Sequence, residues 1–96
     1  VYVHYAASKG ALDTFTLGLA REVAGEGIRV NGLRAGITDT DLHAFNDDPE
    51  KLERLSNLPP LRRVAAPEEI AEAALWLLSG QASYVTGTLL EAGGGL

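Results

Sequence analysis

Tyr5 and Lys9 stand four residues apart in the stretch HYAASKGALDTF, residues 4–15, with only small side chains between them. On a helix that spacing puts both on one face, about 5–6 Å apart at Cβ. A free tyrosine ionises near pH 10, too high for easy proton loss at neutrality. A neighbouring ammonium stabilises the phenolate and lowers that value. Tyr5 could then serve as a general acid or base, and Ala6, Ala7 and Ser8 leave space for a flat ligand to approach this turn. Taken alone the pattern is a weak signal, because any tyrosine with a lysine four later satisfies it and the chain has three tyrosines.

The elements that would position this pair follow from periodicity. Leu12, Phe15, Leu19 and Val23 recur at helical spacing and predict a helix over 6–24, with Ala11, Leu17 and Ala20 widening its apolar side. That width implies burial on more than one side or contact with a partner helix. The sequence GEG at 25–27 ends the helix, with Gly27 suited to a left-handed cap. Residues 28–36 read as a strand in which Ile28 and Val30 alternate with Arg29 and Asn31. Helix, glycine turn and short apolar strand make the second half of a βαβ crossover. The strand feeds the loop RAGITDTDLHAF, and ligands of open α/β sheets gather at the carboxyl ends of strands.

Residues 39–60 are mostly polar and read as a lid or binding loop with a short helix over 49–56, broken by NLPP. A second long helix is expected over 67–79. Pro67 suits its first position, Glu68 and Glu69 suit its positive end, and Ile70, Ala73, Ala74 and Leu77 form its inward stripe. Residues 84–92 read as a final strand interrupted by Gly87. Two strands alone do not make a stable sheet, so at least one strand edge needs a cover from outside these 96 residues.

Composition narrows the class. The chain is 46% hydrophobic and 22% charged, close to a soluble globular average, with a net charge of −5. Apart from Arg62-Arg63 the basic residues are scattered, so no nucleic-acid footprint is expected. No apolar run approaches a membrane span, and the absence of cysteine excludes disulfides and thiolate metal sites. His4 and His43 are too isolated to suggest zinc. A cytoplasmic location is the default expectation. The chain contains no methionine and reads as a piece of a longer protein or as a trimmed chain.

The stretch YAASKGALDTFTLGLAREVAGEGIRVNGLRAG resembles the active-site helix and following strand of the short-chain dehydrogenases/reductases. The likeness is carried by Tyr5, Lys9, Ala11, Glu22, the GIRVN of 27–31, Gly36 and Thr40, and continues in PEEIAEAALWLLSGQASYVTG at 67–87. It covers essentially the whole chain in ordered blocks with the right spacing, which is far more specific than one motif. The resemblance implies an α/β fold, the C-terminal part of a Rossmann-like doubly wound parallel sheet, ordered helix–strand–lid–helix–strand. On this reading residues 1–96 are the catalytic and substrate portion of one domain, whose dinucleotide-binding half is not among them.

It further implies an NAD- or NADP-dependent oxidoreductase acting on an alcohol/carbonyl pair. Tyr5 would exchange a proton with the substrate oxygen. Lys9 would lower the Tyr5 pKa and bind the nicotinamide ribose. The backbone of Gly36, Ile37 and Thr38, with the Thr40 hydroxyl, would hold the carboxamide and nearby phosphate. Leu42, His43 and Phe45 are the expected substrate contacts, Asn31 a structural tie, and His4 a lining or structural residue. A homo-oligomer, dimer or tetramer, is expected, with neither nucleic acid nor membrane as partner. The alternative is a non-catalytic interaction module that kept the fold. The isolated 96-residue chain is expected to be inactive and poorly soluble, given the uncovered strand edge. The chain departs from the family pattern at Ala35, where proline is usual, in RRVAA before Pro67, where glycines are frequent, and at Ala92-Gly93-Gly94-Gly95, where an aspartate is usual.

Overall fold

A computed structural model describes residues 2–40 and 47–96. In chain order it contains helix α1 (Val3–Val23), strand β1 (Gly32–Ala35), helices α2 (Pro49–Ser56) and α3 (Pro67–Leu78), and strand β2 (Leu89–Ala92). The two strands pair in parallel, with Gly32 opposite Leu89, Leu33 opposite Leu90, Arg34 opposite Glu91 and Ala35 opposite Ala92. A parallel pair needs a long crossover between its strands, and α2, α3 and their loops form it here.

Side chains alternate across a strand, and that alternation sorts the layers. At Gly32 a Cβ would meet Leu89 at 2.6 Å and Thr16 of α1 at 3.8 Å. Arg34, two residues on, reaches Asp13 of the same helix. Leu33 instead lines a groove with Ala74 and Leu77 of α3. Helix α1 therefore covers one face of the sheet and α3 the other, the layering of a doubly wound α/β fold.

The helix ends follow local chemistry. Helix α1 runs into a 3-10 turn at Ala24–Glu26 and stops at Gly27, whose φ of 78° places it in the expected left-handed cap. Asp48 caps α2 by accepting from the Lys51 N–H at 3.0 Å, with Pro49 next. Glu69 caps α3 by accepting from the Ala66 N–H at 3.0 Å.

The paired strands are shorter than the alternation predicts. Ahead of each, the chains run side by side and are joined mostly through side chains. Val30 N–H donates to the Thr86 hydroxyl at 3.1 Å, and Gly87 N–H donates to the Val30 carbonyl at 2.8 Å. Asn31 gives its amide N–H to the Val85 carbonyl and accepts from the Thr88 N–H, both at 3.0 Å. Asn31 is thus a structural tie between the approaches to the two strands. The expected polarity of residues 28–29 is inverted: Ile28 is exposed, whereas Arg29 turns inward. Its guanidinium donates to the carbonyls of Leu77 and Ser79, satisfying the C-terminal end of α3, and to that of Val85 ahead of β2.

Few described residues are buried: Ala20, Pro59, Leu77 and Ala82, with the polar Thr16 and Thr38. Only part of the apolar side predicted on α1 packs: Ala20 is buried and Leu19 and Val23 are half-buried, whereas Leu12 and Phe15 are exposed, and the helix approaches the sheet through Thr16 and Ala20. Close approach explains the choice, since Ala20 lies against Gly87 and Thr16 against Gly32. The radius of gyration is 15.7 Å, against about 12.5 Å for a compact chain of this length. No helix among the described residues is long and apolar enough to cross a membrane.

Candidate active site

Contacts along α1 fix where its first turns lie. Ala20 meets Gly87, ahead of β2, and Thr16 meets Gly32, the first residue of β1. Asp13 meets Arg34, further along the strand. Helix α1 thus runs antiparallel to β1, and each residue back along it moves about 1.5 Å toward the strand's carboxyl end. Lys9 lies about one turn beyond Asp13 and Tyr5 about two. Tyr5, Lys9, Asp13, Thr16 and Ala20 fall within one side of the helix at 100° per residue. The pair therefore continues, past the end of the strands, the same face that packs on the sheet.

Lys9 Nζ lies over the Tyr5 ring, 5.4 Å from its centroid, within the range of a cation–π contact. Both side chains are exposed. The arrangement sets a phenol, a proton donor and acceptor, beside an ammonium on one face of the helix.

The loop predicted to hold the cofactor begins at the same end. Gly36 N–H donates to the Ala92 carbonyl at 2.9 Å, prolonging the sheet by one bond. A Cβ at Gly36 would come within 2.7 Å of the Gly93 backbone, so the two loops touch and only glycine fits. Beyond it the chain is pinned. Ala65 N–H donates to Ile37 at 2.9 Å, and Asp39 N–H donates to Ala65 at 2.8 Å, forming a parallel bridge between Thr38 and Ala65. Thr38 is buried and its hydroxyl donates back to the Gly36 carbonyl at 2.9 Å. Thr40 is half-buried at the end of the described stretch. Leu42, His43 and Phe45 lie outside the described residues.

A cleft of about 230 Å³ opens at the strand ends, lined among others by Gly36, Ile37, Ala65, Ala92 and Gly93. Tyr5 and Lys9 are not part of its lining. They and the loop share one end of the sheet without forming one closed pocket among the described residues.

Among the described residues three ion pairs rim this end. Arg34 joins Asp13 of α1 and Glu91 of β2. Its hydrogen bond to Asp13, then that to Glu91, raises the guanidinium pKa above its ordinary value. Arg63 grips both carboxylate oxygens of Glu69, at 2.6 and 2.8 Å. That grip, helped by the Ala66 N–H, lowers the Glu69 pKa to about 2. Arg34 and Asp13 are 21 residues apart and Arg34 and Glu91 are 57 apart, so neither contact follows from local spacing.

The family model described as enoyl-(acyl carrier protein) reductase matches residues 1–96. The chain belongs to the short-chain dehydrogenase/reductase family. It is 50% identical over 94 residues to the uncharacterized oxidoreductase YgfF of Escherichia coli K12, a match covering 98% of this chain and 38% of that protein. It is 46% identical over 96 residues to 3beta-hydroxysteroid dehydrogenase 1 of Eggerthella lenta, covering 99% of this chain and 37% of the other. The chain therefore spans less than two fifths of the length of these relatives. Among solved structures it superposes on a 3-oxoacyl-[acyl-carrier protein] reductase with bound NAD from Brucella melitensis. There the TM-score is 0.84 at 39% identity, covering 98% of this chain and 33% of that one. It also superposes on YwfH, an NADPH-dependent reductase involved in bacilysin biosynthesis, with a TM-score of 0.82 at 30% identity, covering 90% and 36%.

Proposed function

We propose that these residues form part of an NAD(P)-dependent short-chain oxidoreductase that exchanges hydride between nicotinamide and an alcohol/carbonyl pair. The observation that carries the proposal is the Lys9 ammonium held over the Tyr5 ring past the carboxyl ends of two parallel strands, where open α/β sheets take their ligands. The oxidoreductase relatives and the NAD- and NADPH-using neighbours support the same reading.

In this proposal the dinucleotide supplies or accepts the hydride. The residues present suit such a group: glycines in contact at 36 and 93 leave that stretch of backbone without side chains, and Lys9 brings three donors. Lys9 would hold the ribose hydroxyls. The backbone of Gly36, Ile37 and Thr38, with the Thr40 hydroxyl, would hold the carboxamide and phosphate. The Thr38 hydroxyl is already turned onto Gly36, so its part is to shape the loop. Tyr5 would give a proton to the substrate oxygen in reduction and take one from the alcohol in oxidation, with Lys9 stabilising the phenolate left behind. Leu42, His43 and Phe45 would contact the substrate, in a homo-oligomer located in the cytoplasm.

Tyr5→Phe removes the proton and keeps the ring. In the protein as translated, it is expected to lower kcat by about 100- to 10,000-fold while leaving the thermal midpoint within a few degrees. Turnover of nicotinamide cofactor that survives the substitution would rule out Tyr5 as the acid/base.

The second reading, an interaction module, draws on the bare apolar surface of α1, where Leu12 is 56% and Phe15 62% exposed. A patch of that kind suits a helix-to-helix subunit contact. It leaves the Tyr5–Lys9 arrangement unused. Equal inactivity of wild type and Tyr5→Phe toward every alcohol and carbonyl tried would favour it.

A further inference from the structure

Asp13 follows Lys9 by four residues, as Lys9 follows Tyr5. Side chains at this spacing are neighbours on a helix. The Lys9 ammonium therefore has two partners within reach: Tyr5 on one side and the Asp13 carboxylate on the other. Even in the less favourable order, ammonium first and carboxylate second, such a pair attracts. A full negative charge also outcompetes the quadrupole of a neutral ring when it is free to do so. Yet Lys9 lies over Tyr5, while Asp13 gives its carboxylate to Arg34.

Arg34 comes from β1, two residues before Gly36, and its second nitrogen holds Glu91 of β2 at 2.7 Å. A planar guanidinium can serve two carboxylates at once. Asp13 lies four residues from Lys9 on its own helix, and the strands packed against that helix contribute Arg34, which meets Asp13, and Glu91, which meets Arg34. Of the carboxylates, Asp13 is the one at helical contact spacing, and its side chain is only 27% exposed.

We propose that Arg34 is a positioning residue that occupies the Asp13 carboxylate and so leaves the Lys9 ammonium to Tyr5. Without the guanidinium, Asp13 draws Lys9 one turn along α1, away from the phenol, and Glu91 adds a second uncompensated negative charge to the same face. The inference rests on the reading of Tyr5 and Lys9 as the working pair, and it assigns Arg34 no contact with substrate.

The test is the pH profile of kcat/KM, which reports ionisations of the free enzyme, measured on the protein as translated. Arg34→Gln is expected to lower kcat/KM about tenfold at neutral pH and to move the limb governed by Tyr5 ionisation about one unit toward higher pH. Adding Asp13→Asn removes the competing carboxylate and is expected to return the profile toward wild type. Arg34→Lys keeps a cation and is expected to hold the wild-type profile. A clamp that merely ties helix to strand predicts the opposite pattern, with the double variant as impaired as Arg34→Gln, and that result would overturn the proposal. So would a displaced profile in folded Arg34→Lys, which keeps the test alive if Arg34→Gln does not fold. If wild type turns over no alcohol or carbonyl, the oxidoreductase reading fails by itself. The proposal is then read from the ultraviolet difference titration of wild type against Tyr5→Phe. Arg34→Gln must move that titration upward and Asp13→Asn must reverse it; an unmoved titration sinks the proposal.

Discussion

The two ends of the small sheet are built on different principles. At the amino end, chains that do not yet pair as strands are stitched by Asn31, Thr86 and the triple donation of Arg29. The bonds of Asn31 and Arg29 are part-buried, and together with that of Thr86 they tie β1, β2 and the end of α3 into one unit. At the carboxyl end the chain offers glycines in contact, a loop pinned through its backbone, and an exposed tyrosine and lysine. Polar capacity is used up at one end and held ready at the other. The difference teaches that satisfaction of buried groups fixes the frame, whereas binding and proton transfer need donors and acceptors that the frame leaves accessible.

If that contrast is right, the largest stability effect lies at the amino end. Asn31→Ala leaves the Val85 carbonyl and the Thr88 N–H without their partner. It is expected to lower stability by about 2–4 kcal/mol, since each part-buried group left unpaired costs about 1–3 kcal/mol. The midpoint of urea unfolding measures this. A loss below about 0.5 kcal/mol would mean that water replaces both bonds and that the amino end is not the fixed end.

A smaller effect of opposite sign is expected near the carboxyl end. Arg62 carries a φ of 58°, a left-handed backbone that costs a residue with a side chain about 1 kcal/mol. Arg62→Gly relieves it and should raise stability by up to about 1 kcal/mol, offset in part by a more flexible unfolded chain. The family pattern often has glycine in this stretch. A clear loss of stability would show that the Arg62 side chain makes up for its backbone strain.

The smallest effect is electrostatic. Glu69 ionises at about 2 in the folded chain, below its ordinary 4.5. A depressed carboxylate stabilises the fold fully above its unfolded value, and that contribution is lost as pH falls from about 4.5 through about 2. Glu69→Gln should therefore flatten the pH dependence of stability in that window and lower stability at pH 7 by the same amount, a small one because exposed pairs contribute little. An unchanged slope between pH 4.5 and 2 would assign acid unfolding to other carboxylates.

Legibility in the sequence followed the range of the interactions. Helix α2, the start of α3 with its Pro67 and Glu69, and the Gly27 cap were all readable, because caps and turns are settled within four residues. The Tyr5–Lys9 pairing was readable for the same reason, and the family likeness followed from ordered blocks of such local patterns. The inward side of α1 was readable only in part. Leu12 and Phe15 look like core, yet Ala20 of the same apolar set and the polar Thr16 pack, because glycines at 32 and 87 in other segments permit close approach there. Arg29 read as an outward residue of an alternating strand, but the α3 carbonyls it caps lie about fifty residues away in sequence.

By itself, then, the sequence determined what one turn of backbone can decide: which residues start and stop helices, and that a phenol and an ammonium share a helical face. Only the tertiary structure decided which side of α1 meets the sheet, that the shared face emerges at the carboxyl ends of the strands, and that Arg34 of β1 holds Asp13 of α1. The reason is physical. Local geometry is fixed by bonded neighbours, whereas the partner of a charge or of a packing face is set by segments brought together from across the chain.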